Sequence, residues 1–411
     1  MKILVLNCGS SSLKFQVFDC NSNRYARLAG GSIKRIGSHA SFEFLLTGSL
    51  PSTGTISARD HAEAVRLALD WLASVKDPTS GKNLLHALSA AGHRVVHGGS
   101  RFTCPVLIDN AVIGEIEALN DLAPLHNPAS VSGIRAARSV LGQSFAMVAV
   151  FDTAFHHTLP ERASTYAIPY ELSLRHRIKR YGFHGTAHHF LALRYSEITS
   201  TPLEEVRIIT LQLGNGCSAT AIRNGRSVDT SMGFTPLEGL VMGTRSGSID
   251  PAIIGYLARK ENLGITEIES LLNERSGMLG ISGYSNDMSR LLECTQVQQE
   301  KRCRLAVDIF CYSVRKYIGS YLAVLGGADA VVFSGGIGGN SPVARSRICE
   351  GMDWCGLILD ADLNNRVVGK EGRISADDAG IHAYVISVDE ELLIAQDTAG
   401  CLSEKLAERP E

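Results

Sequence analysis

Apolar residues recur with two different periods along this chain, and the switches between those periods outline its elements. An apolar run over 3–6 stops at Asn7, gives way to Gly9-Ser10-Ser11-Ser12, and resumes as the alternating segment 13–18. That predicts strand, tight turn, strand. Residues 207–222 repeat the scheme around Gly214-Asn215-Gly216, and Asn224-Gly225 then supplies a two-residue hairpin signal. Ala62, Val65, Leu67, Ala68, Trp71 and Leu72 fall at helical spacing after Asp60, which predicts a capped helix over 60–75. Segments 130–141 and 301–325 read as further helices, and 391–402 as a terminal one. Segments 91–96, 145–151, 330–333 and 384–388 read as buried strands, and 334–341 as a glycine-rich turn. Strands and helices mix throughout, with glycines at strand ends, so an α/β architecture is expected. The recurrence of the opening scheme in the second half suggests two domains built on one plan.

Composition narrows the functions. The 411 residues are 45% apolar and 20% charged, an ordinary globular balance. Lys and Arg number 40 against 42 Asp and Glu, so no basic surplus exists to drive binding to nucleic acid or an anionic membrane. No apolar run approaches the ~20 residues that span a bilayer, and 3–6 is too short for a signal-peptide core. Ten cysteines are scattered without a C-x-x-C pair. Buried free thiols in a reducing cytosol are the expectation, with no zinc site, no membrane and no nucleic-acid partner.

Candidate chemistry gathers at the turns. The Gly/Ser turn after Asn7 could aim backbone N–H groups at a phosphate, with Lys14 beside it and the Asn7 oxygen available to a metal. A hairpin turn whose serines cap their own backbone is the plainer alternative. Three such turns, at Gly9, Gly214 to Gly216 and Gly335 to Gly338, fit a nucleoside triphosphate held in a cleft between domains. Arg94 sits in an apolar, Gly-flanked strand and must find an anion, either in a structural salt bridge or on a bound carboxylate or phosphate. Arg245 lies in the glycine-rich loop 242–247, Asp152 ends a strand, and His184 stands between glycines. His184 and His188 have i, i+4 spacing, but no Glu follows His184 as in H-E-x-x-H, and Gly185 is expected to discourage a helix. His156, His157 and His189 are expected on the surface or at caps. Two arginines, an imidazole, a lysine, an asparagine and an acid form a phosphoryl-transfer set.

Segments 7–15, 92–99, 181–188, 213–218, 232–245 and 334–341 together resemble the carboxylate (acetate/propionate) kinase family, acetate kinases in particular, over essentially the whole chain. The resemblance implies an actin-like/sugar-kinase fold: two related ribonuclease H-like α/β domains flanking an interdomain cleft. Residues 1–152 with 389–411 would form the N-terminal domain and 153–388 the C-terminal one. It also implies a cytoplasmic homodimer. By the same resemblance Asn7 and Glu390 match the Mg²⁺-associated positions, with Mn²⁺ as a substitute ion. Lys14, Gln212, Leu213, Gly214, Asn215, Gly216, Asp287, Met288, Ser289, Gly336, Ile337, Gly338, Gly339 and Asn340 match nucleotide positions. Arg94 matches the substrate-carboxylate arginine and Asp152 the catalytic acid beside it. His184 and Arg245 match the transition-state stabilisers. Val96, Leu125, Phe183 and Pro236 match the pocket for the acyl methyl group, and His126 an active-site histidine.

Four positions depart from the family pattern: Gln212 where His is usual, Ser248 where Asp is common, Ser289 where Arg is expected with Arg290 one place later, and Gly339 where Glu is expected. Three of them bear on nucleotide preference. The implied reaction is reversible transfer of the ATP γ-phosphoryl group to acetate, giving acetyl phosphate and ADP. A propionate kinase is the near alternative, and Val96 leans towards acetate because a smaller residue there resembles the propionate-preferring pattern. A non-catalytic nucleotide sensor of the same fold is the alternative from another class.

Overall fold

The run that opens the chain becomes strand β1 (Lys2–Cys8), buried along nearly its whole length. A computed structural model describes residues 1–21, 24–124, 126–294 and 297–407. The chain divides into two compact units, Met1–Ala154 with Asp389–Glu411, and Phe155–Val388.

In the first unit β1 pairs antiparallel with β2 (Ser12–Asn21) and parallel with β6 (Ala90–Val95). The sheet extends on one side through β3 (Arg24–Lys34), β4 (Ala40–Leu46) and β5 (Ser52–Ile56), and on the other through β8 (Met147–Phe151) to β7 (Val106–Leu107). Alternate residues of β1 face opposite cores, as the two-residue period of a strand requires. Leu4 and Leu6 pack with Val65, Leu69 and Ile134 from the helices His61–Ser74 and Asn127–Leu141. Ile3 and Val5 pack with Val148, Val150 and Ile394, the last from the terminal helix Glu390–Ala407. That helix lies so close on β6 that a Cβ at Gly92 would meet Thr398 Oγ1 at 2.3 Å and Ile394 Cγ2 at 2.9 Å. Asp60 caps the helix His61–Ser74 by accepting from the Glu63 backbone N–H, as expected from its place before an apolar-periodic run.

The second unit repeats the plan. Strand β9 (Arg207–Leu213) pairs antiparallel with β10 (Cys217–Arg223), which pairs with β11 (Arg226–Thr230). On its other side β9 runs parallel to β12 (Ala330–Ser334), which runs parallel to β14 (His382–Val385), edged by β13 (Gly372–Arg373). The order β3-β2-β1-β6-β8 in one sheet thus matches β11-β10-β9-β12-β14 in the other. Asn224 and Gly225 both take positive φ, 54° and 72°, and make the tight β10–β11 turn. Helices Gly185–Thr199 and Val297–Leu325 pack on the sheet.

Three readings of the sequence need correction. The meander β3–β5 was not anticipated: β5 is almost wholly exposed, and in β3 the buried Leu28, Ala29 and Ile33 break the two-residue spacing by which a strand is recognised. The glycine run expected as a turn is a short helix, Gly335–Asn340; glycines leave no apolar period by which a helix is recognised. The late strand is His382–Val385, earlier than the expected 384–388.

Burial pushes the Asp397 carboxyl on the terminal helix up to about 7. A carboxyl raised in the folded state contributes stability below its unfolded value and loses it as pH rises through the folded one. Asp397→Asn should therefore stabilise the protein at pH 8 by on the order of 1–2 kcal/mol and change little at pH 4. Thermal melts at the two pH values check this; an equal shift at both would refute it.

Candidate active site

The first unit brings its polar groups to the carboxyl ends of neighbouring parallel strands, the usual ligand side of such sheets. Asn7 is the penultimate residue of β1, Arg94 the penultimate residue of β6, and Asp152 follows β8 directly. Arg94 grips Asp152 with two bonds, Nε to Oδ1 at 2.8 Å and Nη2 to Oδ2 at 2.5 Å. Its Nη1 donates to Asn7 Oδ1 at 3.0 Å, and Asn7 Nδ2 donates to Glu391 Oε1 at 3.3 Å. Burial works against the Arg94 cation, but the charges of Asp152, Glu390 and Glu391 outweigh it and hold its pKa above the ordinary value. A guanidinium has five N–H donors, so the bonds to Asp152 and Asn7 leave others for a ligand. Lys14 stands directly opposite Asn7 across β1 and β2 and is exposed. His61 Nε2 meets the Gly9 carbonyl at 2.6 Å and braces the turn between those strands.

This corner suits a hard divalent cation. Burial pushes the Glu390 carboxyl up; Arg94 and Lys14 oppose that, while Asp152 and Glu391 add to it. A cation among these oxygens would relieve the excess. Among the described residues no three His, Cys, Asp or Glu side chains form a cage. One or two protein oxygens plus substrate phosphates is how Mg²⁺ is usually held. Val96 is buried just beyond β6, and the reciprocal bonds between His97 and Asn127 bring its neighbourhood to that of His126, at the head of the helix Asn127–Leu141. Leu125 lies outside the described residues.

In the second unit His184 precedes the helix Gly185–Thr199 in the left-handed region, φ 56°. Gly185 therefore begins a helix rather than preventing one. His156, expected at the surface, is buried, its Nδ1 at 2.9 Å from Ser227 Oγ and its Nε2 at 3.1 Å from the Phe183 carbonyl. His189 stacks on Phe155, while His157 is exposed. The loop carrying Arg245 is pinned by bonds from Gly243 N to Asn215 O and from Met278 N to Met242 O, both 2.9 Å. Arg245 Nη1 donates to the Pro236 carbonyl at 3.3 Å, and among the described residues no carboxylate pairs with it. Burial accordingly lowers its pKa, with Cys217 opposing. A Cβ built on Gly216 would lie 3.4 Å from Arg245 Nη1 and 3.6 Å from His184 Nε2. One point beside the β9–β10 turn thus faces both groups. Phe183 and Pro236 flank them.

Next to that turn is a cavity of about 710 Å³. Of the expected nucleotide residues, Gly214, Asn215, Asp287, Met288, Ser289, Gly336, Ile337 and Asn340 line it. Gln212, Leu213, Gly216, Gly338 and Gly339 lie in the adjoining strand end, turn and helix, and Lys14 belongs to the first unit. Asn286, Glu293 and Val343 also line it; no motif marked them.

A model described as the acetokinase family matches residues 2–396. The chain belongs to the acetokinase family. It is 51% identical to an acetate kinase of Solibacter usitatus over 98% of each chain. Among solved structures it superposes on the acetate kinase of Porphyromonas gingivalis with TM-score 0.89 at 38% identity, covering 98% of this chain and 99% of that one. A propionate kinase from Francisella tularensis gives TM-score 0.88 at 38% identity, covering 97% and 99%. Within this acetokinase the unusual residues are locally accommodated. Ser289 donates to the Asp287 carboxylate at 2.7 Å, and Ser248 Oγ accepts from Gly239 N at 3.1 Å. Gln212 Oε1 and the Ser334 hydroxyl, neighbours across β9 and β12, are buried without partners among the described residues.

Asp152→Asn strands a buried cation and should cost about 3 kcal/mol of stability. Arg94→Met combined with Asp152→Asn should cost less than the sum of the two single changes, since neither charge is left alone. Denaturant titrations of the four proteins check this; additive losses would show that the pair is not coupled.

Proposed function

We propose that this chain is an acetate kinase, transferring the γ-phosphoryl group of ATP reversibly to acetate and yielding acetyl phosphate and ADP. The reading is carried by Arg245 and His184, two donors aimed at one point beside a nucleotide-sized cavity, the arginine lacking any carboxylate among the described residues. Family membership supports a kinase acting on a carboxylate with ATP and a divalent cation.

Acetate needs no general base, because a carboxylic acid of pKa ~4–5 is ionised at neutral pH. Arg94 would hold the carboxylate with its remaining donors while Asp152 fixes the orientation of the guanidinium. Val96, Leu125, Phe183 and Pro236 would receive the methyl group, with His126 nearby in the chain. His184 and Arg245 would bind the equatorial oxygens of the transferring group as charge redistributes, the main catalytic demand in phosphoryl transfer. Lys14 would meet the nucleotide phosphates. Asn7 and Glu390 would hold Mg²⁺ or Mn²⁺, which supplies charge neutralisation to those phosphates. The ten unpaired cysteines favour the cytoplasm, and family resemblance favours a homodimer. No helix among the described residues is long and apolar enough to cross a membrane.

Propionate stays in view as substrate because the solved propionate kinase matches as well as the solved acetate kinase. One methylene in an apolar pocket changes selectivity by only ~1–3 kcal/mol. Trapping the acyl phosphate as a hydroxamate, with ATP, Mg²⁺ and either acid, tests the reading. Acetate should give the higher kcat/KM, and Arg245→Ala should lower kcat by about 10³-fold. Absence of acetyl hydroxamate, or an unimpaired Arg245→Ala enzyme, would overturn the function; a higher kcat/KM for propionate would reassign the substrate.

A further inference from the structure

The two histidines at i and i+4 lie on one side of the helix Gly185–Thr199, against the β9–β10 hairpin. Ser218 stands opposite Gln212 and Thr220 opposite Thr210, so Thr210 and Ser218 point to the same face of that hairpin. His184 Nδ1 lies 2.9 Å from Ser218 Oγ. The same hydroxyl lies 2.7 Å from His188 Nε2, and His188 Nδ1 lies 2.7 Å from Thr210 Oγ1. Thr210, Ser218 and His188 have no exposed surface. We propose that His188, acting through Ser218, keeps a proton permanently on Nδ1 of His184, so that His184 must be an imidazolium to donate from Nε2 to the transferring phosphoryl group. This rests on the role given to His184 above, and makes His188 and Ser218 positioning residues.

The polarity follows from the far end of the chain of bonds. Thr210 Oγ1 donates to the Thr220 carbonyl, at 3.5 Å, and a carbonyl can only accept. The Thr210 oxygen therefore receives the His188 Nδ1–H. Burial, with His156 and His184 adding to it, keeps His188 neutral, which leaves its Nε2 as an acceptor. Ser218 spends its one proton there and offers a lone pair to His184. The neutral His184 tautomer with its hydrogen on Nε2 would point a bare nitrogen at that lone pair. The titratable and charged groups around this chain of bonds include Arg245 from the loop 242–247, which faces the same point as His184; His188; His156 from the turn Ala154–Thr158, whose ring lies against His188; and Cys217, which adjoins Ser218 in β10. Arg245 and the positive end of the helix disfavour a second proton. Cys217 is neutral, its thiol pushed up to about 12. The Ser218 acceptor and an incoming phosphate favour the proton.

¹⁵N-imidazole NMR of the whole protein, with His184→Asn to assign the signal, reads the tautomer directly. Neutral His184 should carry its hydrogen on Nδ1 in the native chain. In kinetics, kcat of the native enzyme should fall as pH rises through the His184 pKa. Ser218→Ala frees the other tautomer: kcat near neutral pH should drop about 10-fold, with the alkaline fall flattened. His188→Gln, whose Oε1 can accept from Ser218, should recover most activity, and His188→Met should not. A neutral His184 bearing its hydrogen on Nε2, or losses of the same factor at every pH, would overturn the proposal. Failure of the acetate kinase reading would instead appear as no acetyl phosphate from the native enzyme, whatever the tautomer.

Discussion

Arg94 lies near the end of a strand that is almost wholly buried, where a lone guanidinium would cost several kcal/mol. The two-bond grip of Asp152 makes that position tenable. Asn7 and the acids at the head of the terminal helix are arranged around this pair, and the parallel order β1-β6-β8 brings them together. The terminal helix reaches that place because Gly92 lets it lie against the sheet. Remove the ion pair and the reason for the remaining polar groups at this end of the sheet goes with it.

The second unit treats positive charge in the opposite way. Arg245 is held by a pinned loop and a carbonyl, with no carboxylate among the described residues to neutralise it. His184 is fixed by a hydroxyl behind it. Such groups are costly in the absence of a ligand and valuable when an anion arrives, because the protein need not reorganise to meet developing charge. The histidine lies in a left-handed conformation at a helix start, and Gly216 occupies the point that both groups face.

The residues that depart from the family pattern sit where they can be absorbed. Ser289 closes a local turn on Asp287, and Gly339 lies in a short helix with open space around it. Gln212 and Ser334 are different: buried polar atoms left without partners are uncommon in native proteins. They adjoin the strand end beside the cavity next to the β9–β10 turn.

Local order was legible without any structure. The helix after Asp60, the strand–turn–strand units, the tight turn at Asn224-Gly225 and the need of Arg94 for an anion all follow from spacing, caps and the cost of burying charge. The family motifs also marked candidate site residues, eight of which line the cavity beside the β9–β10 turn. What spacing could not say was which anion Arg94 takes, that His188 is a buried partner of Ser218 rather than a would-be metal ligand, or that β3 and the exposed β5 join the sheet. Those depend on which distant segments become neighbours. A hydrogen bond between residues dozens of positions apart leaves no periodic trace in the chain, because its partners are chosen by sheet order and helix packing rather than by proximity along the backbone.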